Sequence, residues 1–153
     1  TEGSPDAYAE QLTILSFDVQ GFLHHKLQAP RMRYYEENDT TELDQPHLWQ
    51  FSPEAPGWWV RGERALVRGD GETLFMPGPV FIDREGQGQA IPYYRITTRD
   101  LTVQTDSAYA ETDQPIQFNT PDHRVTAVGM QGWLQEPVRI KLLHKVRGVY
   151  ERL

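Results

Sequence analysis

The sequence predicts an all-β chain of antiparallel strands, and three observations predict it. Apolar residues recur at spacing two, the strand period, as in "VRIKLL" and "YRITTRDLTVQ". Clusters of turn formers such as "EENDTT", "RGDGET" and "QTDSA" separate the alternating runs. The whole pattern returns at a period of about 30 residues, roughly three and a half times, as in stacked or tandem architectures.

Taken in order, residues 1–7 read as a flexible leader before a domain spanning 8–153. The one segment with any helical spacing is "PDAYAEQL" at the start. A strand near 12–19 follows. The repeat is then anchored on Leu27, Val60 and Ile96, with Met32, Ala65 and Leu101 five residues on and Tyr34, Val67 and Val103 seven on. Nineteen residues after each anchor stands a proline: Pro46, Pro79 or Pro115. One past the proline come His47, Val80 and Ile116, and three past come Trp49, Ile82 and Phe118. A shortened copy starts at Val125, with Met130, then Pro137, Val138 and Ile140. Proline lacks the donor a ladder needs, so these sites are strand starts or edges. Each unit therefore reads as strand, corner, strand, turn, strand, proline kink, strand, giving about 14–15 short strands in all. Segments 52–57 and 83–93 are loops rich in Gly, Pro and charge. Strands with one apolar face bury it against another layer, so two twisted sheets lie face to face. Tandem copying leaves an apolar trough along the stack and an unpaired edge strand at each end.

Composition narrows the function. The 153 residues predict one domain, with 38% hydrophobic content and a mean hydropathy of −0.64. A net charge of −7 argues against nucleic acid, whose affinity rests on basic side chains meeting phosphates. Cysteine is absent, which removes disulfides, thiolate catalysis and Cys-based metal sites. No apolar run approaches the roughly 18 residues of a membrane span.

The chemistry-bearing residues mostly have simpler roles. Of the five histidines, His24 and His25 are strand neighbours pointing apart, and His47, His123 and His144 lack ligand spacing, so no metal is expected. Asp44 and Asp113 precede equivalent prolines, which fits turn geometry better than acid–base work. Asp18, Asp83 and Asp100 form no recognisable pair. No nucleophile motif, phosphate loop or nucleotide fingerprint is present, so neither an enzyme nor a cofactor is expected. The basic groups Arg31 and Arg33, Arg61, Arg64 and Arg68, and Lys141, Lys145 and Arg147 read as solvated outward positions. Trp49, Trp58, Trp59 and Trp133 either fill the core or line a ligand channel. A carbohydrate-binding sandwich is the reading from another class, and it requires Trp58 and Trp59 as exposed, coplanar sugar platforms.

Three segments carry a family resemblance. "FDVQGFLHHKLQAPRMRYYEENDTTELDQP", "YRITTRDLTVQTDSAYAETDQPIQF" and "MQGWLQEPVRIKLLHKVRGVYE" resemble the opening, central and C-terminal parts of the LptC family of Gram-negative lipopolysaccharide transport. The resemblance runs from about residue 8 to 151. It implies a twisted, open β-jellyroll in the periplasm, normally held by one N-terminal inner-membrane helix that this sequence lacks. It implies acceptance of lipopolysaccharide from the inner-membrane LptB/LptF/LptG extractor at the N-terminal edge. It further implies hand-over to the bridge jellyroll LptA at the C-terminal edge, and a homodimer is compatible with the same edges. A bridge jellyroll of the LptA type is the alternative within the same transport line.

On that reading, the residues expected to line the trough and meet acyl chains are Leu27, Met32, Tyr34, Leu43, Trp49, Val60, Leu101, Val103, Ile116, Phe118, Val138 and Ile140. Ile140, Leu142, Lys145 and Tyr150 are expected on the partner-binding edge, about 138–150. An acyl chain in water costs about 0.8 kcal/mol per exposed CH₂. An apolar trough offsets that cost without chemistry, and because the hydrophobic effect is non-directional the tails can slide.

Overall fold

A computed structural model describes residues 3–53, 56–69, 71–86, 93–135 and 137–150, with backbone only at Tyr150. Eleven antiparallel strands make up the described chain: β1 (Ala7–Phe17), β2 (Leu23–Tyr35), β3 (Thr40–Asp44), β4 (His47–Gln50), β5 (Trp58–Gly62), β6 (Arg64–Arg68), β7 (Thr73–Arg84), β8 (Tyr94–Gln104), β9 (Tyr109–Asn119), β10 (His123–Trp133) and β11 (Arg139–Tyr150). The segment with helical spacing, "PDAYAEQL", belongs to β1, where pairing with β2 over Ala7–Glu10 decides its conformation.

The strand number falls below the expected 14–15 because most short strands run on through a corner. Each long strand bends once and contributes to two layers. One layer is crossed in the order β1, β2, β4, β5, β7, β8, β9, β10, β11. The other runs β1, β2, β3, β6, β7, β8, β9, β10, β11. All of these strand pairings lie within a layer, so the layers meet only through their corners and their facing side chains.

The corners follow from residue type. Left-handed backbone stands at Gln11, Gln45, Gly78, Asp100, Gly129 and Lys145. Register shifts mark the same places in β7, β8, β10 and β11. Prolines 30, 46, 79 and 115 sit at corners too, where a ladder donor is not required. Carbonyls left over at the bends are taken up by hydroxyls: Thr98 donates to Pro115 O at 3.0 Å and Thr112 to Arg99 O at 2.8 Å. The Asp100 carboxylate accepts from Gly78 N at 2.8 Å. At Gly129, φ is +86°, and a Cβ there would stand 3.0 Å from Leu143. Gly129→Ala is therefore expected to cost about 1–3 kcal/mol in urea unfolding, through both the dihedral and the clash.

Some of the recurring positions stand on common rungs: Leu27, Val60 and Ile96 share one, and Tyr34, Val67 and Val103 another, whereas Trp49 stands off the rung of Ile82 and Phe118. Ile14, Leu27, Leu48, Val60, Ile82, Ile96, Phe118, Val125 and Gly148 are successive cross-strand partners along the first layer. On the second layer the rung is Ala7, Tyr34, Thr41, Val67, Leu74, Val103, Ala110, Gly132 and Ile140. Burying one such aliphatic side chain is worth about 1.5–3 kcal/mol, so the facing rungs form the core that holds the layers together.

Candidate functional site

The space between the layers is the candidate site, and its ends differ from its middle. Mid-stack it is filled: Leu27, Leu43, Val60, Leu101, Val103 and Ile116 are all buried in one apolar cluster. Met32, Phe118, Val138, Ile140 and Leu142 are half-buried against that cluster. Towards the outer strands the apolar interior surfaces, with Ile14 44% exposed on β1 and Val146 52% exposed on β11. Among the described residues, each of these two strands has one neighbour, β2 for β1 and β10 for β11. A separate hollow of about 530 Å³ runs along the corners of β7–β11. Its lining mixes Thr98, Arg99 and Lys145 with Pro79, Pro115 and Ile116, unlike the apolar rungs.

Of the expected trough positions, Trp49 stands elsewhere and Tyr34 stands at the rim. Trp49 points outward: Leu48 faces Leu27 and Val60, while Trp49 stacks on Trp59 at 6.1 Å and on His47 at 5.6 Å. The cause is a reversal of facing at the left-handed Gln45, between inward Leu43 and inward Leu48. Strands β7 and β9 have no such reversal, because Met76 and Val80, like Thr112 and Ile116, keep the same facing through their corners. Tyr34 sits on the second-layer rung but at its rim, where its hydroxyl donates to Asp39 Oδ1 at 2.9 Å. On the expected partner edge, Ile140 and Leu142 pack inward, Lys145 forms the left-handed corner, and the Tyr150 side chain lies outside the described residues.

Trp58 and Trp59 form no common platform. Neighbours on a strand face opposite ways. Trp58 is 2% exposed and stacks inward on Tyr94, which in turn meets Phe118 at 5.3 Å. Trp59 lies on the outer surface under the Arg61 guanidinium, 4.3 Å from its ring centre.

Sequence reasoning missed the buried carboxylate of Asp83. Arg61, Arg95 and Tyr93 all donate to it, Arg95 Nε and Tyr93 OH each at 2.7 Å. Burial alone would raise its pKa, but these three donors outweigh burial and hold it below the usual carboxylate range. A depressed folded pKa means stabilisation that is complete above the unfolded value, near pH 4, and lost as pH falls through the folded value. Asp83→Asn should lower stability by about 1–3 kcal/mol at pH 7. The gap to wild type should close below about pH 4 when melts are compared across pH. Two further basic side chains are also partnered: Arg33 makes a two-pronged contact with Asp44 at 2.8 and 3.0 Å, and Arg64 approaches Glu42 at 3.6 Å.

Among the described residues, no group of three or more His, Cys, Asp or Glu side chains is placed to hold a metal ion. No helix there is long and apolar enough to cross a membrane.

Comparison with known proteins places this architecture. The chain is similar in fold to LptH of Pseudomonas aeruginosa, described as the LptA-homologous periplasmic component of the lipopolysaccharide transport device. The TM-score is 0.61 over 84% of this chain and 95% of that one, at 6% sequence identity. No curated protein matches the sequence. The fold is thus a β-jellyroll of the kind used in that transport line. The model of the family described as "Lipopolysaccharide-assembly, LptC-related" matches residues 1–151, and the chain belongs to that family.

Proposed function

We propose that this chain carries lipopolysaccharide in the periplasm, holding acyl tails between its two layers and passing the lipid on along its edges. One observation carries the reading: the first-layer rung is apolar from Ile14 on β1 to Gly148 on β11, apolar side chains surface at both ends, and among the described residues each outer strand is paired along one edge. The layers touch chiefly through apolar side chains, so a tail that enters replaces like with like and breaks no ladder hydrogen bond. The half-buried Phe118, Val138, Ile140 and Leu142 mark the most accessible entry, near β11.

The β11 edge is then the donor end. An LptA-type jellyroll adds its own strand there, and the two apolar interiors become continuous. The β1 edge, with Ile14, Leu15 and Phe17 exposed, faces the LptB/LptF/LptG extractor at the inner membrane. This chain would be the periplasmic part of a protein anchored in that membrane. Direction comes from the extractor. The test is equilibrium displacement of a fluorescent lipid A analogue by lipopolysaccharide. Saturable, competitive binding is expected; binding that neither saturates nor is competed contradicts the proposal.

A further inference from the structure

Next to the apolar rung of the first layer, towards the rim, runs a rung of different chemistry. His25, Gln50, Trp58, Arg84 and Tyr94 are successive cross-strand partners on β2, β4, β5, β7 and β8. They share the inward face with Leu27, Leu48, Val60, Ile82 and Ile96, two residues away on each strand. Gln50, Trp58 and Arg84 are 6%, 2% and 7% exposed. The Gln50 Nε2 and Trp58 Nε1 donors are buried without any hydrogen-bond partner. Directly opposed residues bring their side chains within about 5 Å at Cβ, so the two side chains that carry these donors are neighbours. The Arg84 guanidinium lies over the Trp58 ring, 5.2 Å from its centre, with Nε donating to Pro56 O.

An orphaned buried donor is costly, and two on adjacent strand positions near a cation are rare in a settled core. The bare groups are both donors, so what would satisfy them is an acceptor, and the guanidinium favours a charged one. An apolar rung flanked by a donor rung matches an amphiphile, with its chain on the first and its oxygens on the second.

We propose that this rung binds the oxyanion of an acylated ligand, at the point where the chain leaves the space between the layers. The proposal rests on the carrier reading above and adds to it a polar anchor. Gln50 and Trp58 supply the hydrogen bonds, and Arg84 supplies the charge.

The test is calorimetric titration with decyl phosphate, decanol and inorganic phosphate, each below its aggregation limit. Wild type should bind decyl phosphate about tenfold more tightly than decanol, and inorganic phosphate too weakly to measure. Trp58→Phe with Gln50→Leu removes both donors and leaves apolar side chains in their place. That variant should lose the tenfold preference and keep the decanol affinity, and it should still melt cooperatively, at a lower temperature because the smaller Phe ring gives up Trp58 contacts with Tyr94. Equal affinity of wild type for the two chains overturns the rung while leaving the carrier reading intact. A preference unchanged in the variant also overturns it. Inorganic phosphate binding as tightly as decyl phosphate would mean an anion site without a chain, and overturn it as well. If neither chain binds, the carrier reading fails, and this proposal with it.

Discussion

Removing residues 138–153 should abolish capture of an LptA-type jellyroll while leaving a folded stack. The deletion takes away β11 and with it the free edge that would add the next strand. It also removes Val138, Ile140 and Leu142 from the end of the core, so some loss of stability is expected. The main ladders survive, because β10 stays paired with β9 over both layers. The shortened chain should keep its β-sheet circular dichroism and a cooperative melt. A subtler variant addresses the same edge: Val146→Lys with Val149→Lys changes two side chains that are 52% and 54% exposed and touch little of the core. Capture should fall several-fold in a pull-down, since each cross-strand side-chain pair contributes about 0.2–1 kcal/mol. Full capture by the shortened chain would mean that the partner docks elsewhere.

Ile140→Glu and Phe118→Glu should each weaken lipopolysaccharide binding by at least about tenfold, because either places an unpaired carboxylate among apolar groups. Both side chains are half-buried on the inward face, Phe118 against Tyr94 and Ile140 beside Gly132. They sit where the interior is least filled, so the chain should still fold with either change. The outward neighbours provide the control. Gln117→Glu and Lys141→Glu add negative charge next door, and both should bind as wild type does. Equal loss in all four variants would point to surface charge and away from the interior.

Much of this arrangement is legible in the sequence, and particular residues show where legibility ends. Leu27, Val60 and Ile96 recur at equivalent offsets and stand on one rung. The offset of five to Met32 and Leu101 is odd, which already encodes the reversal of facing at the corners of β2 and β8. Trp49 was unreadable by the same rule. "HLWQ" places a bulky residue on each face, and only the left-handed Gln45 decides that Leu48 turns inward. The strand number was overcounted because a bend is invisible to alternation: Gly78, Asp100 and Gly129 redirect a strand without ending it. The donor rung was out of reach for a further reason. Arg84 lies in the segment 83–93 read as a loop and Gln50 just before the segment 52–57 read as one, and only the strand pairing aligns both with Trp58. Asp83 likewise looks like a loop residue until Arg61 and Arg95 are brought to it from neighbouring strands.

Site-specific photocrosslinking to lipopolysaccharide tests the carrier reading most directly. A photoreactive side chain placed at Phe118 or Ile140 should crosslink to the lipid, and one placed at Gln117 or Lys141, a single residue away on the opposite face, should not. Crosslinks at the outward pair, with none at the inward pair, would contradict the account.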